Sequence, residues 1–113
     1  MHELALADSL FKQINGIIEK ENVSELLSVT VSMGALSGVE KEVFEFAFSV
    51  TAEGTPLEKA KLIIELVPVA LKCGDCGRKT TVKLPLIRCA ECNSKNVEIV
   101  DGKDFTLKSL EVK

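Results

Sequence analysis

Four cysteines in this chain stand as two C-x2-C pairs, Cys73 with Cys76 and Cys89 with Cys92, separated by the 12 residues from Gly77 to Arg88. Each pair can fold as a tight knuckle that aims both sulfurs at one ion, and two knuckles complete a tetrahedron of thiolates. Four soft sulfur donors favour Zn(II). Because the protein fills every coordination position, such a zinc is structural and offers no open place for a water nucleophile. The competing readings are a pair of disulfides or a thioredoxin-like redox motif, and two matched pairs without a surrounding βαβ pattern argue against the latter. The second group with metal chemistry is His2, the only histidine. A lone histidine near a terminus is ordinarily a solvated bystander. At position 2, however, the amine of Met1, the backbone nitrogen of residue 2 and the imidazole can close adjacent chelate rings around one ion. That nitrogen-rich, tetragonal set suits Ni(II) or Cu(II). The bulk of His2 also disfavours removal of Met1, which keeps His2 second.

Around these groups the hydrophobic pattern predicts an α+β chain. Leu6, Leu10, Ile14, Ile17 and Ile18 recur at steps of three and four, an amphipathic helix from Leu4 to about Glu21 that stops at Asn22. Leu27, Val29, Val31 and Met33 then alternate with Ser28, Thr30 and Ser32, a strand with one wet face that ends at Gly34. After Ser37-Gly38, the stripe of Val43, Phe44, Ala47, Phe48 and Thr51 predicts a second helix from Val39 to Ala52, closed by Gly54 and Pro56. The nearly continuous apolar run from Ala60 to Leu71 reads as one strand covered on both faces. Val97 to Val100 and Phe105 to Val112 read as a hairpin turning at Asp101-Gly102, returning the chain to the first sheet. The expected architecture is a small mixed sheet with two helices, residues 1–70 and 97–113, and an inserted zinc-ribbon module, residues 71–96.

The whole chain has 113 residues, 46% hydrophobic and 27% charged, enough for one domain with a small appendage. The ribbon segment has too few apolar residues for a core of its own. Zinc compensates, since binding to such a site is worth roughly 10–16 kcal/mol in small metal-folded peptides. A net charge of -3, together with an aromatic fraction of 4% made only of Phe, disfavours nucleic acid as the main partner. No run of apolar residues is long enough to span a membrane. The first residues lack the pattern of a secretory signal, so the expected location is cytoplasmic, where paired cysteines more often bind metal than each other. With one histidine, no Gly-rich phosphate loop and cysteines committed to zinc, the chain is not expected to be an enzyme. Apolar strand edges and the junction at Leu71-Lys72 leave a homodimer open. A zinc-ribbon adaptor or nucleic-acid-binding regulator, with His2 incidental, is the alternative function.

Met1-His2-Glu3 opening a helix, Gly34-Ala35-Leu36-Ser37-Gly38-Val39-Glu40 before the second, and the C-x2-C-x12-C-x2-C ribbon together resemble the HypA family of nickel metallochaperones. The resemblance spans essentially the whole chain. It implies that Ni(II) is cargo, bound principally by His2 with the nitrogens of the first two residues. Glu3 and Glu40 are implicated as completing or tuning that site. Glu40 is equally well read as a first-turn carboxylate favoured by the helix dipole. Some relatives carry histidines directly after the second and fourth cysteines; here those positions are Gly77 and Asn93, so a Cys-to-His exchange at zinc has no ligands. The resemblance further implies a HypB-type GTPase and the hydrogenase large subunit as partners, in maturation of NiFe hydrogenase.

Overall fold

The computed structural model of the protein describes the chain from His2 to Lys113; Met1 and the side chain of His2 lie outside the described residues. Helix α1 (His2–Glu21) is followed by strand β1 (Leu26–Gly34), helix α2 (Lys41–Ala52) and strands β2 (Lys61–Val67), β3 (Val69–Cys73), β4 (Lys79–Val82), β5 (Val97–Asp101) and β6 (Phe105–Val112). The chain is therefore α+β, with its strands in two three-stranded sheets ordered β2-β1-β6 and β4-β3-β5. It divides into two compact units: Met1–Val31, Val39–Ile64 and Leu107–Lys113 form one, Ser32–Gly38 and Glu65–Thr106 the other.

In the first unit the three- and four-residue steps of α1 bury Ala7, Leu10 and Ile14. The helix α2 lies against it and buries Phe44, Ala47, Phe48 and Ala52, the two phenylalanine rings 6.2 Å apart. Leu26, Val29 and Val31 of β1 and Leu57 complete this core. Asn22 ends α1 as expected: it takes a left-handed φ of 52°, and the Val23 N–H reaches back to the Ile18 carbonyl at 3.1 Å. Asparagine tolerates that conformation at a helix C-terminus better than any residue but glycine.

Two expectations about the strands are corrected. The apolar run from Ala60 to Leu71 is two strands, split at Pro68 into β2 and β3, which lie in different sheets. Proline has no N–H for a ladder, and the break falls on it. The first of these strands is not covered on both faces: β2 is an edge strand that alternates between exposed and half-buried, and Leu66 is 64% exposed. The hairpin is also absent. Strand β5 pairs antiparallel with β3, bringing Cys73 opposite Val97 and Leu71 opposite Ile99, whereas β6 joins β1. Gly102 does turn the chain at φ 94°, but it does so while wedged against other backbone. A Cβ there would stand 2.7 Å from the Pro68 carbonyl oxygen, and the Gly102 carbonyl accepts the Leu36 N–H at 2.8 Å. These long-range contacts send the two strands to different sheets.

Candidate metal centres

The two C-x2-C segments fold alike, atom for atom. The Cys73 N–H donates to the Arg78 carbonyl at 3.0 Å and the Cys89 N–H to the Ser94 carbonyl at 2.9 Å. The Gly77 N–H returns to the Cys73 carbonyl and the Asn93 N–H to the Cys89 carbonyl, at 3.1 and 2.9 Å. To close each loop so tightly, the residue after the second cysteine must adopt a left-handed conformation, and Gly77 and Asn93 do so at φ 75° and 67°. Inside each loop, two N–H groups point at the first sulfur: those of Asp75 and Cys76 at Cys73 Sγ (3.3 and 3.4 Å), those of Glu91 and Cys92 at Cys89 Sγ (3.4 and 3.5 Å).

The knuckles bring all four sulfurs within 4.8 Å of one another. Cys73 Sγ lies 3.6 Å from Cys92 Sγ, and Cys76 Sγ 3.6 Å from Cys89 Sγ. A disulfide requires about 2.05 Å; all four cysteines are free. A regular tetrahedron with Zn–S bonds of about 2.3 Å has edges of about 3.8 Å, so the tetrad fits a Zn(II) ion in size as well as donor type. Cys73 and Cys89 are buried while Cys76 and Cys92 are exposed. Without an ion the tetrad ionises unevenly. The N–H of Cys76, then that of Asp75, favour the Cys73 thiolate and lower its pKa to about 6 despite burial. The N–H of Cys92 lowers Cys89 in the same way. For Cys92 the N–H of Ser94 pulls downward, but the neighbouring Cys73 sulfur and burial prevail and push it up to about 12. Cys76 is likewise raised, burial and the sulfurs of Cys89 and Cys73 outweighing the Arg78 N–H. Four adjacent thiolates repel one another, and a divalent cation at their centre removes that obstacle.

The knuckles are also clasped to each other through residues that sequence reasoning passed over. The Asp75 carboxylate accepts a hydrogen bond from the Ser94 hydroxyl and another from Asn96 Nδ2 at 3.2 Å, and both hold its pKa below the usual carboxylate range. The Ser94 hydroxyl in turn accepts the Asn96 N–H at 3.0 Å. An Arg78–Glu91 ion pair of 3.2 Å bridges the same two loops at the surface. The only sequence signal for the clasp was the Ser and Asn that follow Cys92; their partner lies about twenty residues earlier.

Of the proposed nickel ligands, Met1 and the side chain of His2 lie outside the described residues. The two acids are described, and they meet. Glu40 is the N-cap of α2, extended at φ -91° and ψ 124°, and its side chain makes no capping hydrogen bond. Its N–H instead donates to the Glu3 carboxylate at 3.2 Å, while its carbonyl accepts the first helical bond from Phe44 at 2.9 Å. Glu3 lies in the first turn of α1. The bond thus ties the beginnings of the two helices together and brings both acids to one end of the unit, where the positive ends of the helix dipoles favour them.

A family model described as hydrogenase/urease nickel incorporation, metallochaperone, HypA, matches residues 1–112. The hydrogenase maturation factor HypA of Aquifex aeolicus is 40% identical over 112 residues, covering 99% of this chain and 97% of that protein. The factor of the same name from Methanothermobacter thermautotrophicus is 33% identical, covering 99% and 97%. Among solved structures, the Ni metallochaperone HypA from Helicobacter pylori superposes with a TM-score of 0.68 at 30% identity, over 97% of this chain and 96% of that one. The chain belongs to the HypA family of hydrogenase/urease nickel-incorporation metallochaperones.

Proposed function

We propose that this chain carries Ni(II) at its first residues and delivers it for maturation of NiFe hydrogenase. The terminal amine of Met1, the backbone nitrogen of His2 and its imidazole hold the ion, with Glu3 and Glu40 completing or tuning the site. The observation that carries this reading is the Glu3–Glu40 hydrogen bond: the two acids meet at the end of the unit where α1 begins, at His2. Nitrogen and carboxylate donors on a helix terminus release an ion far more readily than a closed cage of thiolates, which is what a carrier needs. Cys73, Cys76, Cys89 and Cys92 hold zinc permanently and staple together the two knuckles of the ribbon, residues 71–96, while residues 1–70 and 97–113 form the nickel-binding part. No catalytic step is required of the chain, which acts in the cytoplasm. Transfer to the hydrogenase large subunit runs with a HypB-type GTPase that docks beside His2 and α1. No described helix is long and apolar enough to cross a membrane.

The test is a nickel titration of zinc-loaded, untagged protein beside His2→Ala. We expect the substitution to abolish nickel binding and leave zinc content unchanged; a His2→Ala protein that takes up nickel as well as the parent overturns the assignment. Nickel affinity should also decline as pH falls through about 6.5, where an ordinary imidazole protonates and competes with the ion.

A further inference from the structure

On the ribbon, a cleft of about 350 Å³ is lined by Val82, Leu86, Lys83, Arg88 and the buried Cys89, and by no acidic residue. Leu86 is 54% exposed and Leu84, close by in the same turn, 43%. The turn that presents them is closed by the Leu86 N–H donating to the Lys83 carbonyl at 3.0 Å. Leu86 lines the cleft and Leu84 stands two residues before it, so the turn offers apolar surface that a partner would cover. The charges around them are unusual. The protein as a whole carries -3, yet this cleft presents two cations. Neither Lys83 nor Arg88 forms an ion pair among the described residues, although Arg88 is half-buried, whereas the nearby Arg78 is paired with Glu91. A half-buried arginine that lines a cleft beside Val82 and Leu86 is a ready partner for a carboxylate supplied from outside.

We propose that this cleft is a docking site for an acidic peptide segment of a partner protein, with leucine-like side chains seated on Leu84 and Leu86 and carboxylates on Lys83 and Arg88. A protein segment fits better than a nucleic acid because the cleft has apolar anchors, only two cations and no aromatic residue for a base to stack on. The surface includes none of the nickel donors proposed above. Cys89 is shared with the zinc tetrad, so an occupant covers one side of that site.

The probe is a short fluorescein-labelled peptide of leucines separated by glutamates, titrated into zinc-loaded, nickel-free full chain and followed by anisotropy. Binding should weaken by at least roughly tenfold in Arg88→Glu and in Leu86→Ser, as expected when a desolvated charge or an anchor is lost from a small interface. It should be unchanged in Lys20→Glu on α1. Zinc quantification guards against misfolding, and Lys83→Glu, at an exposed position, provides a second charge reversal. Amide shifts on peptide addition should cluster between Thr81 and Ala90. Equal binding by Arg88→Glu and the parent overturns the proposal, as does an Arg88-dependent affinity indifferent to Leu86→Ser. Tighter binding of single-stranded RNA or of phosphatidylserine vesicles through the same residues would assign the cleft to another class of ligand. Because nickel is absent from every arm, failure here leaves the His2 assignment intact, and failure of His2→Ala leaves this one intact.

Discussion

Replacing Gly34 by alanine tests the crossing on which the second unit is built. An added methyl at Gly34 would stand 2.3 Å from the Gly102 carbonyl oxygen, 2.4 Å from its carbon and 2.9 Å from the Lys103 nitrogen, all backbone atoms that cannot swing aside. Restoring van der Waals contact requires the two segments to part by about 1 Å. Two hydrogen bonds of 2.8 Å span that junction, Gly34 N–H to the Asp104 carbonyl and Leu36 N–H to the Gly102 carbonyl, and at that separation neither survives. Gly34 and Gly102 are both buried, so the freed groups do not all regain water, and each loss costs about 1–3 kcal/mol. Less conformational freedom in the unfolded chain offsets up to about 1 kcal/mol. The net expectation is a destabilisation of about 1–6 kcal/mol, or a melting temperature lower by about 5 °C or more for a chain of this size. Thermal unfolding of zinc-loaded protein by circular dichroism measures it. Gly16→Ala is the control: nothing lies within 4 Å of the position, and alanine inside the exposed face of α1 should stabilise by about 0.5–1 kcal/mol. If both variants melt with the parent, the wedge does not constrain the fold.

Cys89→Ser should fail to retain zinc after dialysis and lose β-structure, measured by metal quantification and circular dichroism. Asp75→Ala, which removes the clasp with Ser94 and Asn96, should let a chelator withdraw zinc several-fold faster without altering the number of ions bound; an unchanged rate means that the clasp is ornamental to the site. Zinc loading near neutral pH should release clearly fewer than the about four protons that ordinary thiols would lose. Cys73, lowered to about 6, is already ionised there, whereas Cys92, raised to about 12, still carries its proton. Calorimetry in buffers of different ionisation enthalpy counts the protons. The depressed Cys73 also contributes stability to the metal-free fold that is present at alkaline pH and lost as pH falls through about 6.

Local chemistry was legible and distant pairing was not. The helices, β1 and both knuckles follow from residues within a few positions of one another: apolar steps of three and four, Asn22 at a helix end, and a cysteine pair followed by Gly77 or Asn93. Nothing within a few residues of Asp101-Gly102 distinguishes a hairpin turn from a turn between sheets. The choice lies with Pro68 and Leu36, whose backbone meets Gly102. The same limit hid the clasp, whose Asp75 and Ser94 belong to opposite knuckles, and the bond between Glu3 and Glu40, 37 residues apart. Family resemblance named both of those acids but not their hydrogen bond. That bond has a physical consequence for the proposed cargo site. A carboxylate oxygen that accepts a backbone N–H is held in place and has one lone pair engaged. Glu3 is thereby suited to orient the start of α1, leaving the Glu40 side chain, which makes no capping bond, freer to reach an ion. Glu40→Gln should therefore weaken nickel binding while leaving α2 formed, and Glu3→Gln, whose amide oxygen can still accept the Glu40 N–H, should weaken it less; the reverse order, read from the same titration, would exchange the two roles.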